Sequence, residues 1–325
     1  MENTKFYRTA ESVSPKHPDK LCDQISDAIL DAYLEKDPDA RVAAETCGGH
    51  GVVFVTGEIT STADDIDIEK IVRRIAGDDS EVHTKIVKQS PEIAQGVDTG
   101  GAGDQGIMIG YATDETPEML PREVVLSRAL NEAIYKKYPY DGKTQVTIAP
   151  DGSIDSIVAS FQNVDQETLT KEVQGFIKAN NLKGRLELHI NPAGDWQQGG
   201  FGADTGLTGR KLIVDNYGPA VAIGGGCYSG KDPSKVDRSA AYMARRIAVD
   251  YLKKRHAHEV LVRLAYAIGY AEPLEKTVII DGQPEEITGY DLTPNGIIKY
   301  LDLKRPIYEE TAKYGHYGHA FPWDN

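Results

Sequence analysis

The chain has 325 residues, of which 40% are hydrophobic, and a formal net charge of −14. That length allows two or three domains with ordinary cores. The negative charge argues against a nucleic-acid partner, because few cations remain to neutralise a long stretch of phosphates. Three scattered cysteines without a Cys-x-x-Cys pair exclude a disulfide framework and a zinc site. No apolar run has the length of a membrane span or a signal peptide, so we expect a cytoplasmic protein without a membrane partner.

The spacing of apolar residues predicts three blocks, each with a helix, two strands and a second helix. In the first block the helix opens at Pro18 and stops before Pro38, the strands cover 41–46 and 51–59, and the second helix lies near 65–75. The second block has a helix over 122–137, strands over 144–149 and 156–161, a helix over 166–179 and a closing strand over 185–190. The third block has a helix over 237–254, strands over 260–270 and 276–280, and a helix near 295–301. This pattern predicts an α+β fold of repeated units, each sheet carrying helices on one face.

A glycine-rich stretch over 89–106 separates the first two blocks. Such a stretch cannot form a stable core element, and long loops inside compact proteins are usually functional or disordered. We interpret 93–106 as a mobile active-site loop, and a passive linker is the simpler alternative. The predicted domains are therefore 1–92, 107–198 and 199–325.

The run from Gly224 to Ser239 is the most informative segment of the chain. Three consecutive glycines expose backbone N–H groups, and three cations and several carboxylates follow. The cations are Lys231, Lys235 and Arg238. This mixture suits a polyphosphate that carries Mg²⁺, since cations and N–H groups hold phosphate oxygens while a carboxylate holds the metal. A solvated surface loop is the alternative.

Part of the same run matches the opening of the phosphate-binding pattern G-x-x-x-x-G-K-[ST]. Gly225, Gly230 and Lys231 fit, but Asp232 stands where Ser or Thr should ligate Mg²⁺, and Pro233 follows. That pattern needs its glycines to lead directly into a helix N-terminus. We therefore interpret the match as a coincidence, with phosphate binding retained.

Several further segments, taken in order along the chain, resemble the motifs of one family, methionine adenosyltransferase, also called S-adenosylmethionine synthetase. They are Glu11-Ser12-Val13-Ser14, His17-Pro18-Asp19-Lys20, Gly103-Asp104-Gln105-Gly106, Gly206-Leu207-Thr208-Gly209-Arg210-Lys211, the run 230–239, Tyr314-Gly315-His316-Tyr317-Gly318 and Phe321-Pro322-Trp323. The resemblance spans nearly the whole chain, and it is far more specific than any single glycine motif.

The resemblance implies three similar domains around a pseudo-threefold axis, with sheets inside and helices outside. It implies a homodimer with active sites between subunits, possibly paired into a homotetramer. The implied reaction joins ATP and L-methionine into S-adenosylmethionine by attack of sulfur on C5′. The triphosphate leaves intact and is then cleaved to pyrophosphate and phosphate. Two Mg²⁺ ions per site and K⁺ are the implied cofactors.

Motif matching also implies the residues that do this work. The implied catalytic residues are His17, Asp104, Lys143, Arg210, Lys231 and Lys235. Those implied to contact ATP are His17, Asp141, Lys143, Trp196, Arg210, Lys211, Cys227 and Lys231. Those implied to contact methionine are Glu58, Gln89, Asp104, Asp204 and Lys235, and the implied metal ligands are Asp19 and Asp237 for Mg²⁺ and Glu45 for K⁺. On sequence alone, Asp237 would be a helix N-cap, Glu45 an exposed strand-end carboxylate and Trp196 a core residue.

The chain departs from the family pattern at several points. Lys16 replaces the usual glycine before the histidine, Asp195 stands where an arginine is common, and Cys227 replaces a small residue. The chain is also shorter than typical bacterial members, mainly between 69 and 89 and near 139. Two alternative functions stay open. One is a P-loop-like phosphotransferase built on the segment 225–231, and the other, which Lys16 and Asp195 keep open, is a non-catalytic module that binds a nucleotide or S-adenosylmethionine.

Overall fold

The computed structural model of the chain describes residues 6–88 and 100–325. Its helices are α1 (Pro18–Lys36), α2 (Ile68–Ala76), α3 (Arg122–Tyr135), α4 (Gln166–Ala179), α5 (Leu212–Asp215), α6 (Val236–Arg255), α7 (Pro294–Leu301) and α8 (Tyr308–Thr311). Its strands are β1 (Arg8–Val13), β2 (Arg41–Gly49), β3 (Val52–Thr60), β4 (Glu81–Val87), β5 (Gly106–Thr113), β6 (Gly142–Ile148), β7 (Ile154–Phe161), β8 (Gly184–Ile190), β9 (Gly206–Leu207), β10 (Glu259–Tyr266), β11 (Glu275–Ile280) and β12 (Gln283–Glu286). Within these ranges no helix is both long enough and apolar enough to cross a membrane.

The strands form three four-stranded sheets built on one plan. Their orders are β9-β2-β3-β4, β1-β6-β7-β8 and β5-β10-β11-β12. Each sheet is centred on an antiparallel hairpin, and a strand from elsewhere in the chain pairs antiparallel with its first member. The fourth strand is parallel to its neighbour in the first two sheets and antiparallel in the third. This repeated plan confirms the predicted α+β fold of three similar domains.

Each block contributes one strand to the sheet of another block, and we call β1, β5 and β9 the lent strands. β1 pairs with β6 of the second sheet, from Arg8 opposite Ile148 to Val13 opposite Lys143. β5 pairs with β10 of the third sheet, and β9 returns to β2 of the first. The apolar pattern does not predict these three lent strands. The domain boundaries at 92, 106 and 198 stay a prediction, and the sheets do not follow them at β1, β5 and β9.

Helix α1 begins and ends where its sequence signals predict. The His17 side chain accepts a hydrogen bond from the Asp19 N–H at the N-cap, and Pro18 supplies the first helical residue. The helix ends at Lys36, and Asp37 is extended before Pro38, as the residue before a proline prefers. The start of α1 therefore fixes the positions of His17 and Asp19, which belong to the candidate site.

The two longest helices lie inside the chain. Every residue from 18 to 30 in α1 and from 238 to 245 in α6 is buried. Two of the sheets expose large apolar side chains, since Phe54 on β3 is 52% exposed and Ile107 on β5 is 53% exposed. Within one chain, α1 and α6 are therefore core helices rather than surface helices. Both helices must bury charged side chains, and those charges need partners.

Candidate active site

His17 sits at the entrance of α1, in a buried position. Its Nδ1 accepts a hydrogen bond from the Asp19 N–H at 3.2 Å, so the neutral ring carries its proton on Nε2. Burial, and then the positive charges of Lys211 and Lys143, lower the pKa of His17 to about 3. At neutral pH this side chain is therefore an uncharged donor through Nε2–H.

Asp19, two residues further on, is fully buried and gathers donors from the segment 206–211. Its Oδ1 lies 3.0 Å from the Arg210 Nε and accepts the Leu207 N–H at 3.0 Å, while its Oδ2 lies 2.5 Å from the Lys211 Nζ. Burial opposes the charge on Asp19, but the bonds from Lys211 and Leu207 outweigh it and lower the pKa of this carboxyl group. One ionised carboxylate thus holds two cations side by side.

The central block adds residues to the same region. Lys143 on β6 is opposite Val13 in register, and its charge acts on His17. Asp141 is buried, and its Oδ2 accepts the Gly200 N–H at 2.9 Å; burial raises the pKa of its carboxyl group. Asp204 is exposed, and its negative charge acts on both His17 and Asp141. We call His17, Asp19, Asp141, Lys143, Asp204, Arg210 and Lys211 the first cluster.

The glycine-rich run forms a second cluster. The Lys231 Nζ lies 2.6 Å from the Asp237 Oδ2, and the Lys235 Nζ binds Asp232. Burial opposes the charge on Lys231, but Cys227, Asp237 and Glu45 raise the pKa of its ammonium group. We call Glu45, Cys227, Lys231, Lys235 and Asp237 the second cluster. In the ranges 6–88 and 100–325, no hydrogen bond or ion pair joins a side chain of one cluster to a side chain of the other.

Close packing accounts for two of the three consecutive glycines of the run. A Cβ at Gly224 would lie 1.6 Å from the Ile107 carbonyl oxygen, and a Cβ at Gly226 would lie 2.3 Å from the Asp237 Cγ. Helix α6 begins only at Val236, so Lys231 does not lead directly into a helix N-terminus. The interpretation of the P-loop match as a coincidence is therefore confirmed.

Three further predicted residues within 6–88 and 100–325 form no side-chain hydrogen bond or ion pair with either cluster. Glu58 is exposed on β3, opposite Ala43 in register. Asp104 is exposed, and its Oδ1 accepts the Gln105 N–H at 2.7 Å. Trp196 is half-buried, and its carbonyl accepts the Asn163 N–H at 2.9 Å. Gln89 and residues 93–99 of the predicted loop lie outside the described residues.

Three positional expectations are corrected by the structure. Glu45 lies in the middle of β2 rather than at its end, because the strand continues to Gly49. Asp237 is the second residue of α6 rather than its N-cap, because Lys235 holds that position. Arg238 is fully buried and forms a two-bond pair with Asp27 at 2.7 and 2.8 Å, so it cannot reach a phosphate.

The comparisons with known proteins decide the family. Three family models match in order: the S-adenosylmethionine synthetase N-terminal domain over residues 5–91, its central domain over 99–196 and its C-terminal domain over 198–325. The chain belongs to the S-adenosylmethionine synthetase family. The resemblance found in the motifs is thereby confirmed.

Curated relatives in this family match almost from end to end. The S-adenosylmethionine synthase of Clostridium tetani is 43% identical, covering 98% of this chain and 96% of the relative. Those of Deinococcus deserti and Deinococcus radiodurans are each 41% identical, covering 98% of this chain and 96% and 95% of the relative. The first alignment runs over 376 positions, more than the 325 residues present, so this synthetase chain is the shorter of the two.

The departures from the synthetase pattern are accommodated locally. Lys16 is exposed, and exposed Asp195 accepts a hydrogen bond from the Asn191 Nδ2 at 3.0 Å. Cys227 packs against the turn of the first cluster, since a Cβ at Gly209 would lie 2.5 Å from its Cβ. Burial raises the pKa of the Cys227 thiol.

Sequence analysis missed a group of buried ion pairs at the start of α1. The Lys20 Nζ lies 2.6 Å from the Asp215 Oδ1 and 3.0 Å from the Asp23 Oδ2, with all three side chains buried. Burial raises the pKa of Asp23 to about 7, while Lys20 opposes that shift. A signal was available, because aspartates recur at 19, 23, 27 and 31, every fourth residue of α1.

Proposed function

We infer that this protein makes S-adenosylmethionine from ATP and L-methionine. The observation that carries the inference is the family membership over the whole chain, joined to the first cluster, where a neutral histidine lies beside paired cations. A thioether sulfur has no proton to lose, so its attack on C5′ of ATP needs no general base. The reaction instead needs stabilisation of charge, because a sulfonium forms while a polyanion departs.

We assign these tasks to the residues of the two clusters and to the other residues that the resemblance implies. The His17 Nε2–H would donate to the oxygen that leaves C5′, and its neutrality keeps that donor available across physiological pH. Lys143, Arg210, Lys211, Lys231 and Lys235 would neutralise the triphosphate. Asp104 and Asp204 would stabilise the sulfonium side, with Glu58 and Gln89 toward methionine. Trp196, Asp141 and Cys227 would line the nucleotide.

Mg²⁺ and K⁺ are part of the proposal. Among the described residues, no group of three or more His, Cys, Asp or Glu side chains could hold a metal by itself. Asp19 and Asp237 each offer one carboxylate, which fits Mg²⁺, because this ion typically takes one or two carboxylates and completes its shell with substrate phosphates and water. Asp19 and Asp237 would supply those carboxylates, each beside a lysine that could also reach phosphate. Bound Mg²⁺ would neutralise charge on the triphosphate, and Glu45 would be the K⁺ ligand.

A homodimer would bring complementary clusters together. The first and second clusters hold different parts of the proposed machinery. In one chain Cys227 packs against the Gly209 turn, but no side-chain hydrogen bond or ion pair in the described ranges connects the two clusters. The exposed face of the first sheet is apolar where a partner could lie, because Phe54 and Leu207 flank Cys47 in neighbouring strands. We therefore propose that the first cluster of one chain works with the second cluster of its partner.

A product assay tests the reaction. With ATP, methionine, Mg²⁺ and K⁺, we expect S-adenosylmethionine, pyrophosphate and phosphate, and no ADP. Formation of ADP would instead support the phosphotransferase alternative, and binding without turnover would support the non-catalytic module. Chromatography of nucleotides together with phosphate analysis distinguishes the three.

The environment of His17 gives a pH prediction. Between pH 6.5 and about 3 the unfolded chain carries a proton on this ring that the folded chain excludes, so acid lowers the stability in that window. His17→Asn keeps an N-cap side chain, so the free energy of unfolding should fall less between pH 7.5 and pH 5 than in the wild type. The expected difference is about 2 kcal/mol, measured by urea unfolding at both pH values.

The exposed His50 offers a matched control, because His50→Asn makes the same substitution away from the first cluster. Equal acid sensitivity of the wild type and His17→Asn would show that His17 can be protonated freely in the folded chain, contrary to its assigned state.

A further inference from the structure

Four aspartates follow one side of helix α1 at intervals of four residues, so that each lies one turn after the last. We call Asp19, Asp23, Asp27 and Asp31 the aspartate row. Each carboxylate accepts a backbone N–H from a segment distant in sequence. The first three carboxylates are fully buried. A helix that presents acceptors to three separate loops acts as a common support for them.

The first two members hold the turn that carries the cations of the first cluster. Asp19 accepts from the Leu207 N–H, and the Asp23 Oδ1 accepts from the Gly209 N–H at 2.8 Å. Gly209 has φ +76° and directly precedes Arg210. The two bonds therefore fix the backbone on both sides of Thr208, just before the cations.

The last two members hold other segments. The Asp27 Oδ1 accepts the Gly230 N–H at 2.8 Å, next to Lys231. Asp31 accepts the N–H groups of Tyr308 and Glu309 at the start of α8, at 2.8–3.0 Å. The segment that Asp31 holds carries none of the proposed substrate residues, which makes Asp31 a natural control.

Asp23 does not depend on substrate to balance its charge. Lys20 lies 3.0 Å from its Oδ2, and the same Lys20 is 2.6 Å from Asp215. Removing the Asp23 carboxylate therefore leaves Lys20 paired with Asp215 instead of stranding a buried charge. This makes an alanine variant at position 23 a fair test of function.

We propose that Asp23 is a positioning residue for the triphosphate. It fixes the Gly209 N–H, and through it the direction in which Arg210 and Lys211 leave the backbone. The proposal rests on the proposed function, because the cations it aims are those assigned to the triphosphate. A hydrogen bond to a charged group that orients a binding turn affects affinity for the anion as well as folding.

The test is binding of inorganic tripolyphosphate with Mg²⁺ to the full chain, measured by calorimetry. Asp23→Ala should weaken the Kd by about tenfold to a hundredfold, which is the factor that corresponds to losing one hydrogen bond to a charged group. Asp23→Ser, whose shorter side chain cannot reach Gly209, should behave the same and serves if the alanine variant fails to fold. Asp23→Asn keeps an acceptor and should restore most of the affinity. Asp31→Ala should leave the Kd unchanged.

A double-mutant cycle shows whether Asp23 acts on the affinity through Lys211. In the Lys211→Met background, Asp23→Ala should weaken the Kd much less than in the wild type, because the cation it aims is already gone. An unchanged Kd in both folded Asp23→Ala and Asp23→Ser would overturn the proposal, as would equal losses in the two backgrounds. If the wild type bound no tripolyphosphate and made no S-adenosylmethionine, the proposed function would fail instead.

Discussion

Lys211→Met is expected to lower kcat for S-adenosylmethionine formation by about 10²–10³-fold, the usual cost of removing one preorganised donor to developing negative charge. The Lys211 Nζ lies 2.5 Å from Asp19 in a half-buried position, so its charge is directed by a fixed partner. Methionine keeps the unbranched apolar stem and removes only the charge. Asp19 keeps Arg210 and the Leu207 N–H, so the fold should survive. Steady-state kinetics together with circular dichroism check both statements.

The matched control is Lys171→Met on α4. Lys171 pairs with Glu167 one helical turn away on an exposed surface, where the loss of a lysine has little effect. We expect near-normal kcat from this variant. Near-normal kcat from folded Lys211→Met would instead remove the first cluster from the proposed mechanism.

Lys211→Met also tests whether one active site is formed by residues of two chains. Lys231→Met should also be inactive, because it removes another cation proposed for the triphosphate. Its cluster, however, would complete the site formed with the first cluster of the partner chain. Reassorting equal amounts of the two inactive proteins should recover about a quarter of wild-type activity, since about half of the dimers are mixed and each has one intact site. No recovery, with mixed dimers demonstrated, would mean that each site is built within one chain.

Much of the fold could be predicted because its signals are local. Helix α4 has its predicted bounds, residues 166–179, since Asp165 caps its start and apolar residues recur at helical spacing. The hairpins follow from runs whose alternate residues are buried, such as Val42, Ala44 and Thr46 on β2.

The lent strands could not be predicted, because the choice of a pairing partner is a property of the whole chain. β9 has only Gly206 and Leu207, which is too short for any pattern. β1 reads as a polar terminus until its Ala10 and Val13 meet the second sheet. These strands meet their partners only when the three blocks fold together, so no short stretch of sequence contains both a strand and its partner.

Sequence analysis could predict which residues belong to the candidate site, but not which of them pair with each other. The resemblance indicated Asp19 and Lys211, and the structure pairs them. It also indicated the second cluster. Sequence analysis grouped Arg238 with the cations Lys231 and Lys235, but Arg238 forms a buried ion pair with Asp27 instead. Charged residues on a helix usually face solvent, so burial on every side of α1 is visible only from its neighbours.

Asp27→Ala is expected to lower the free energy of unfolding by about 3–5 kcal/mol, the usual cost of breaking a buried ion pair by removing one partner. Both side chains are fully buried and joined by two hydrogen bonds at 2.7 and 2.8 Å. The variant leaves the Arg238 guanidinium in the core, over the Tyr308 ring at 4.3 Å, without its carboxylate. It also frees the Gly230 N–H beside Lys231. Urea unfolding followed by circular dichroism measures the loss.

Two comparisons separate this pair from ordinary ion pairs. Glu69→Ala breaks an exposed pair with Arg73 and should change the free energy of unfolding by no more than about 0.5 kcal/mol. The double variant Asp27→Leu/Arg238→Met removes both charges, so it should be more stable than Asp27→Ala, because no buried charge is left unpaired. A loss from Asp27→Ala as small as that from Glu69→Ala would mean that water reaches Arg238. In that case α1 would not be the buried support on which both proposed triphosphate-binding segments depend.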